Sequence, residues 1–418
     1  MVSRVIEWDM TDTPFKPTRW TFLFLMLSAM MILMGGAAIA PALPLISTSF
    51  PDASEATVSL IITLPALAIA LTGFFIGALS DKIGKIRVLA ASVAIFSVAG
   101  SAGFYLTSLP LLLCARFVLG IGIAGIICTT SALVISYYDG YTRTRVLGYQ
   151  AASMGLGVLI LETSGGFLAG FSWHASFLIY LIGVVIFAGV LLTMKEPVRP
   201  QFAEIHEEIE AAFPTVPLLF IYMTVFLGNM LFFVMPAQLP YLVAHMDAAW
   251  IAGQNTALLS GIFLGISGAA STLAGIFYGR IAAQFRRNIL LVCAFLCFGA
   301  GLCGLGLATS LSGVGLAVIF IGIGEGLLMP TILNGIAAVT PRQFLGRASG
   351  GFSVALNLGQ FACTLALMAV MTLVATGSTL FLVFGCGGIL LAVPYVLAMV
   401  REKYTVAAID RKTKSGTE

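Results

Sequence analysis

Charged and turn residues divide this chain into twelve apolar segments of about 20 residues or more. A segment of that length crosses the roughly 30 Å hydrocarbon core of a bilayer as an α-helix. The strands of a membrane β-barrel would instead alternate polar and apolar residues over about ten residues. The sequence therefore predicts an all-α integral membrane protein and excludes a soluble enzyme. The expected crossings are residues 20–46, 56–79, 88–106, 109–136, 146–170, 174–194, 215–244, 254–279, 288–308, 313–339, 346–375 and 379–400.

Basic residues predict the orientation, because loops rich in Lys and Arg stay on the cytoplasmic side of a membrane. If both termini are cytoplasmic, all 21 Lys and Arg residues except Arg116 fall on cytoplasmic segments. The reverse orientation would place these segments outside. We therefore expect a multi-pass protein of the inner (plasma) membrane with both termini in the cytoplasm. The net charge of only +3 gives no footprint for a nucleic acid.

A charged, proline-containing segment at 195–216 interrupts the apolar pattern halfway along the chain. The two halves resemble each other, since Gly77–Lys82 corresponds to Gly275–Arg280 at an offset of 198 residues. A duplicated membrane bundle is typical of secondary transporters, whose substrate sites lie near the midplane between the repeats. The expected organisation is a cytoplasmic N-terminal segment at 1–19, a six-helix bundle at 20–194, a cytoplasmic linker at 195–216, a second six-helix bundle at 217–400 and a cytoplasmic tail at 401–418.

The loop after the second crossing carries the most specific motif of the chain. It reads Gly77-Ala-Leu79-Ser-Asp81-Lys82-Ile-Gly84-Lys85-Ile-Arg87. This sequence resembles, nearly position for position, the G-x-L-a-D-r-x-G-r-k loop of the major facilitator superfamily (MFS), which lies between the second and third of twelve helices. The resemblance implies the MFS fold, two pseudo-symmetric six-helix bundles, over essentially the whole chain.

Residues of this loop are candidates for a conformational gate on the cytoplasmic side. Gly77 lacks a Cβ, so another helix can approach closely there. Asp81 is placed to bind the positive N-terminus of a neighbouring helix when the cytoplasmic side is closed. The resemblance implies that this neighbour is the eleventh helix, which begins near Gly346. The remaining candidates, which either take part in the gate or only turn the loop and anchor the topology, are Lys82, Gly84, Lys85 and Arg87.

Charged residues inside crossings are functional candidates by default, because each costs about 2.5–3.5 kcal/mol on insertion scales. Arg116 begins an R-x-x-x-G-x-G-x-A sequence in the fourth crossing, which resembles an MFS element of proton-coupled members. Glu162 lies in the fifth crossing, where drug:proton antiporters of the family carry G-x-x-x-G-P-x-x-G-G. This chain has Leu161-Glu162 in place of the central Gly-Pro. Arg116 and Glu162 should lie at similar depth on neighbouring helices, and we expect them to form an ion pair.

Glu325 lies near the midplane of the tenth crossing. A carboxyl group buried there could exchange protons near neutral pH, or it could be a structural group that hydrogen-bonds a neighbouring helix. The resemblance implies that the first, fourth, seventh and tenth helices line the central cavity. Polar residues that could face the cavity, or could instead join one helix to another, are Asn229, Gln238 and Asn334, with Asn357 and Gln360 as less central candidates.

These features predict a proton-coupled secondary active transporter that resembles the drug/metabolite:proton antiporter branch of the MFS. It would export a small organic molecule, such as a drug, a metabolite or a siderophore-like compound, by alternating access. The altered fifth crossing also fits a proton-linked importer of a metabolite, and a non-transporting sensor or membrane enzyme is a remote alternative. The sequence contains no metal-binding motif, P-loop or cofactor motif. The expected partners are the substrate, protons and the lipid bilayer, without nucleic acid, and we expect a monomer.

Overall fold

The computed structural model describes residues 17–197, 213–246, 255–341, 344–373 and 377–415. In these residues the secondary structure is helical, without strands. Eleven helices are long and apolar enough to cross a membrane, and a bent pair at the start of the chain makes up to twelve. The prediction of an all-α multi-pass membrane protein is confirmed. In chain order the helices are α1 (Arg19–Met30 with Met34–Ser49), α2 (Glu55–Ile83), α3 (Lys85–Phe104), α4 (Leu109–Tyr137), α5 (Gly140–Ala169), α6 (Trp173–Thr193), α7 (Thr215–Ala244), α8 (Thr256–Ala282), α9 (Arg287–Leu307), α10 (Leu311–Val339), α11 (Leu345–Met371) and α12 (Gly377–Ser415).

The first helix, α1, is bent by 57° between its two parts. Met31–Leu33 forms a 3₁₀ turn, and a second 3₁₀ turn at Ala40–Ala42 contains Pro41. Proline has no N–H to donate, so the regular hydrogen-bond ladder is interrupted here. The bend is held against α2, because a Cβ on Gly36 would lie only 2.7 Å from the carbonyl oxygen of Ile62. The crossing expected at 20–46 therefore consists of separate helical pieces. Some of its backbone carbonyls lack the hydrogen bond that a regular helix would give them.

Equivalent glycine contacts hold the two halves together internally. In the N-terminal half, Gly120 of α4 rests on the carbonyl oxygen of Pro65 in α2. In the C-terminal half, Gly322 of α10 rests on the carbonyl oxygen of Ser267 in α8. Helix α4 also packs against α3, and α10 packs against α9. Each half is thus built around a glycine-rich fourth helix, as expected for pseudo-symmetric bundles.

The ends of some elements differ from the predicted limits. The last helix, α12, continues to Ser415, past the crossing that was expected to end at residue 400. The seventh helix begins at Thr215, where its crossing was expected to begin, and so includes the last two residues of the predicted linker. Residues 1–16 and 198–212, which make up most of the predicted N-terminal segment and linker, lie outside the described residues. The domain boundaries therefore stay predictions.

The loops lie on two faces of the bundle. The loops at 50–54, 105–108, 170–172 and 308–310 share one face, here called the opposite face, and they carry no Lys or Arg. The other face is here called the basic face, because its described loops and helix ends carry Lys82, Lys85, Arg87, Arg143, Arg145, Lys195, Arg280, Arg286, Arg287 and Arg347.

Candidate functional site

The two halves are joined near the opposite face. Between α1 and α7, the hydroxyl groups of Ser47 and Tyr241 are hydrogen-bonded at 2.7 Å. Between α2 and α11, the hydroxyl groups of Thr63 and Thr364 are 2.6 Å apart. Helix α5 also packs along α8. A path between the halves is therefore closed on this side by hydrogen bonds that cross from one half to the other.

At the basic face, the same helices carry exposed side chains and uncovered glycines. On α2, Leu79 and Ile83 are exposed there. Near this face, five glycines on α5, α8 and α11 have no atom within 4 Å of the position that a Cβ would take, namely Gly148, Gly275, Gly279, Gly346 and Gly350. Among the described residues, the hydrogen bonds that cross between the halves lie toward the opposite face, so the boundary between the halves is joined less tightly at the basic face.

Arg116 is fully buried, with 0% of its surface exposed, and it binds backbone carbonyls. Its Nε donates to the carbonyl oxygen of Ile61 at 2.8 Å, and its Nη2 donates to the carbonyl oxygen of Gly35 at 2.6 Å. Ile61 is four residues before Pro65, so its carbonyl has no intrahelical donor in α2. Gly35 lies at the bend of α1, where the N–H of Ile39 turns to Gly36 instead. The guanidinium group thus satisfies carbonyls that two helix distortions leave unpaired.

Tyr180 of α6 completes this arrangement. Its hydroxyl group accepts a hydrogen bond from Arg116 Nη2 at 2.9 Å and donates to the carbonyl oxygen of Met34 at 2.9 Å. Arg116 also lies 5.1 Å from the centroid of the Tyr180 ring. The expected ion pair between Arg116 and Glu162 is wrong in this conformation, because the broken α1 and the kinked α2 supply the partners instead. Arg116 therefore joins α4 to α1, α2 and α6.

Glu162 lies at the boundary between the halves, with 6% of its surface exposed. A Cβ on Gly261 of α8 would lie 2.5 Å from the carbonyl oxygen of Glu162, so α5 and α8 touch at this level. The Oε2 atom of Glu162 is buried and has no hydrogen-bond partner in the described part of the chain. Glu162, which replaces the proline of the family pattern, thus has an unpaired oxygen at the contact between α5 and α8. These two helices must separate if the opposite face opens.

Glu325 of α10 is also unpaired. Its Oε2 atom is buried and makes no hydrogen bond to any described residue, and the same holds for the hydroxyl group of Ser267 in α8. Gly322 and Gly326, on either side of Glu325, rest on the carbonyl oxygens of Ser267 and Ser271. Glu325 therefore belongs to a stretch of α10 that packs closely against α8. The alternative prediction, a hydrogen bond between Glu325 and a neighbouring helix, is not met at this oxygen.

The amide side chains proposed for the cavity differ in their partners. Asn229 of α7 donates to the carbonyl oxygen of Leu356 in α11 at 2.7 Å. Asn334 of α10 donates to the hydroxyl group of Tyr278 in α8 at 3.3 Å. Both amides therefore join helices within the C-terminal half in this conformation, whereas Gln238, which is 3% exposed, has a buried and unpaired Nε2.

The two less central candidates lie on α11. Asn357 bonds within its own helix, to the carbonyl oxygen of Ser353 at 2.8 Å. Gln360 crosses between the halves and donates to the carbonyl oxygen of Ile62 in α2 at 3.2 Å. Gln360 therefore contributes to the closure near the opposite face rather than to an open cavity.

Gly84 forms the turn between α2 and α3 with a φ of 107°, which favours glycine. Glu196, just after α6, caps α3 at this turn: its carboxylate accepts hydrogen bonds from the N–H groups of Lys85 at 2.6 Å and Ile86 at 2.9 Å. A Cβ on Gly84 would lie 2.9 Å from Glu196 Oε2. Gly84 therefore serves both the turn and the close approach of an anion to the positive end of α3. Glu196 was not among the predicted residues, although it is an acid placed directly after an apolar crossing.

The rest of the motif is divided between the bundle and the solvent. Lys85 donates its Nζ hydrogen to Ser136 of α4 at 2.7 Å. Gly77 faces α4, where a Cβ would lie 3.8 Å from the sulfur of Cys128. Asp81 is exposed. Lys82 and Arg87 are exposed as well. The contact predicted between Asp81 and the N-terminus of α11 stays a prediction.

Comparison with known proteins identifies the family. The sequence profile of the Major Facilitator Superfamily matches residues 25–271 and 250–417. The chain is 28% identical to the niacin transporter NiaP of Acinetobacter baylyi over 156 residues, which are 36% of each protein. It is 29% identical to the multidrug efflux protein YfmO of Bacillus subtilis over 213 residues, 50% of this chain and 53% of YfmO. The chain thus matches about a third to a half of the length of these curated relatives.

Solved structures agree in fold. The nucleoside transporter NupG superposes with a TM-score of 0.77 at 13% identity, covering 90% of this chain and 99% of NupG. A bacterial homologue of the human lysosomal transporter Spinster, in an inward-facing and occupied conformation, superposes with a TM-score of 0.68 at 16% identity, covering 91% and 97% of the two chains. These relatives are transporters rather than enzymes. With a profile that spans nearly all of its helices and this shared fold, the chain belongs to the Major Facilitator Superfamily.

Proposed function

We propose that the protein is a proton-coupled secondary active transporter that exports a small organic molecule, with the basic face in the cytoplasm. The orientation is supported by the positive-inside rule, since the described loops of the opposite face carry no Lys or Arg. The sequence contains no ATP-binding motif, so we expect an ion gradient or the gradient of the substrate to supply the energy. With this orientation, we infer that the conformation described above is inward-open.

The observation that carries the proposal is the carboxyl group of Glu325, which is half-buried and whose Oε2 atom is buried without a hydrogen-bond partner among the described residues. An isolated carboxylate in an apolar interior costs several kcal/mol, and a neutral carboxyl group costs much less. Such a group takes up a proton when it is sealed from water and releases the proton when water reaches it. Alternating access of the two faces would then carry a proton across the membrane in each cycle.

Glu162 is the second group proposed to handle protons. Its carboxyl group is buried where α5 meets α8, and opening of the opposite face requires these helices to separate. We therefore assign Glu162 to exchange with the outside and Glu325 to exchange with the interior. Arg116 is assigned a different role, because a guanidinium group stays charged at all relevant pH values and three of its hydrogen bonds are already made within the bundle.

A proton-linked importer of a metabolite is the second candidate. It is favoured by the Leu161-Glu162 pair, which departs from the antiporter pattern in α5. The named relatives leave both directions open, since they include a niacin transporter and a multidrug efflux protein. The relative direction of proton and substrate movement distinguishes the two candidates.

The test begins with the substrate, which is found by comparing the accumulation of candidate compounds in a deletion strain and its parent. The purified protein is then reconstituted in liposomes with a pH-sensitive dye, and substrate and proton fluxes are followed under an imposed pH gradient. Opposite fluxes support export by antiport, and parallel fluxes support import. Absence of any proton flux during transport would contradict both candidates.

Two substitutions locate the proton site in the same assay. Glu325→Gln should abolish uphill transport and leave substrate exchange measurable, because only the titratable group is lost. The matched control is Asp52→Asn, which neutralises an exposed acid on the opposite face and should transport like the wild type. If uphill transport by Glu325→Gln keeps its pH dependence, Glu325 is not the proton site and Glu162→Gln is tested in its place.

A further inference from the structure

A pocket with a volume of about 550 Å³ lies on the opposite face, away from the path that opens to the basic face. It is lined by both halves of the protein, since Glu55 belongs to α2, Gln238 and Tyr241 to α7, and Phe381 to α12. Tyr241 is also the residue that bonds Ser47 between the halves, so the pocket lies directly over this closure. Its volume is in the usual range for small-molecule sites, which is about 300–1,000 Å³.

Glu55 supplies a negative charge to this pocket. It is the first residue of α2, but the cap of this helix is Ser54, whose side chain accepts the N–H of Thr57. The Glu55 carboxylate is therefore not used as the helix cap, and it makes no hydrogen bond within the described residues. His245 lies at the rim of the same pocket. His245 itself uses its Nδ1 to bond the carbonyl oxygen of Tyr241 at 2.8 Å.

Gln238 supplies an unpaired amide. The side chain is 97% buried, given its 3% exposure, and its Nε2 has no hydrogen-bond partner among the described residues. An amide left unpaired in a buried position costs free energy unless a ligand or water meets it. It lies between Pro236 and Pro240, which interrupt the backbone ladder of α7 and set the local shape of the pocket floor. Phe381 and Tyr241 provide aromatic surface beside it.

The charge of the opposite face favours cations. Its described loops carry Asp52 next to Glu55 of the pocket, and no Lys or Arg in those loops offsets them. A concave site with an unbalanced carboxylate raises the local concentration of positively charged molecules. An aromatic wall adds attraction for an ammonium group or for a flat ring attached to it.

We propose that this pocket is a binding site for a small organic cation, a primary ammonium ion carried on a flat apolar body. The ammonium group binds the Glu55 carboxylate, the flat aromatic body packs against Phe381 and Tyr241, and the unpaired Gln238 Nε2 donates to the π face of that body. Because the ligand contacts both halves while they are joined at the opposite face, its binding stabilises that conformation. The site does not depend on the proposed proton coupling.

The test uses radiolabelled benzylammonium and the purified full-length protein in detergent. We expect saturable binding with about one site per chain, and competition by unlabelled benzylammonium but not by benzyl alcohol, which lacks the charge. Glu55→Gln should weaken binding about tenfold or more, as expected for loss of a charge-assisted hydrogen bond. Gln238→Leu should weaken it several-fold, and the control Asp52→Asn should change it less than about twofold because Asp52 does not line the pocket.

The variant Glu325→Gln distinguishes binding in this pocket from binding in the path between the halves. Binding that survives Glu325→Gln and is lost in Glu55→Gln supports the pocket. Binding that is lost in Glu325→Gln and kept in Glu55→Gln overturns the proposal and places the cation between the halves. Failure of benzylammonium to bind the wild-type protein saturably also overturns it. Each variant is checked by size-exclusion profile, and the benzyl alcohol comparison on the wild type tests the charge requirement even if a variant does not fold.

Discussion

Arg116 donates its Nε hydrogen to the carbonyl oxygen of Ile61 and so replaces, at 2.8 Å, the hydrogen bond that Pro65 cannot make within α2. A buried cation is thereby held by a helix distortion rather than by an acid. The fork of the guanidinium group reaches Ile61, Gly35 and Tyr180 together. A residue at this position is therefore constrained by shape as well as by charge.

Arg116→Lys should destabilise the protein although it keeps the positive charge. An ammonium group cannot reach the same three partners in the same plane, and we expect a loss of about 2–4 kcal/mol, seen as a lower apparent Tm in detergent. Tyr180→Phe removes one of the partners and should cost less. An Arg116→Lys protein with the Tm of the wild type would contradict this role.

The missing ion pair leads to a prediction about a double-mutant cycle. Because Arg116 and Glu162 do not contact each other, the losses in apparent stability from Arg116→Gln and Glu162→Gln should add within about 0.5 kcal/mol. The matched cycle combines Arg116→Gln with Tyr180→Phe. These two residues are hydrogen-bonded, so their losses in apparent stability should be clearly non-additive. If the Glu162 cycle instead restores stability in the double variant, the two charges meet in a populated conformation.

The cap of α3 can be tested at Glu196. Glu196→Gln keeps the shape of the side chain and removes the charge that meets the first N–H groups of α3, so we expect a loss of about 1–2 kcal/mol and reduced transport. Asp139→Asn is the matched control, because Asp139 precedes α5 on the same face without a side-chain cap bond. Equal effects of the two substitutions would show that the Glu196 contact is unimportant.

Gly84→Ala tests the same turn from the backbone. A non-glycine residue at a φ of 107° is strained, and the new Cβ would also press on the Glu196 carboxylate. We expect a loss of about 1–3 kcal/mol in apparent stability. Gly148→Ala is the control, because no atom lies within 4 Å of the added Cβ and its φ is not positive. A Gly84→Ala protein as stable as Gly148→Ala would contradict the assignment.

Asp81→Asn should change the conformational equilibrium rather than the folding of the protein. Asp81 is exposed here, and its proposed partner at the start of α11 is reached only when the basic face closes. In a cysteine-free background, spin labels at Leu79 and Val354 would report this closure as a short distance. Asp81→Asn should deplete the short distance and reduce transport strongly, whereas Asp139→Asn should do neither. An unchanged distance distribution would remove Asp81 from the gate.

The lengths of the apolar segments and the charged residues between them were sufficient to predict the eleven to twelve crossings, because both are local properties of the sequence. The partners of Arg116 could not be predicted in this way. They are backbone carbonyls, which every residue has, and they become available only because α1 bends and Pro65 interrupts α2. Side-chain complementarity therefore suggested Glu162, an acid of the neighbouring crossing at a similar predicted depth.

Contacts between distant segments set a second limit. Glu196 meets Lys85 from 111 residues away, and Tyr241 meets Ser47 from 194 residues away. Neither pair has a local pattern that distinguishes it from other acids or hydroxyl groups. The motif around Asp81 was recognisable because its residues are contiguous, but the sequence does not state which conformation brings it into contact with α11.

The contact of Glu196 with α3 also has a consequence for biosynthesis. The N–H groups of Lys85 and Ile86 lie near the second crossing, yet their acceptor is made only after α6 has been translated. The turn at Gly84 therefore stays incomplete while the intervening crossings enter the bilayer, and it is completed when the ribosome has delivered the residue that ends the first six helices. Both partners of this contact belong to the N-terminal half, which can therefore complete it without any residue of the C-terminal half.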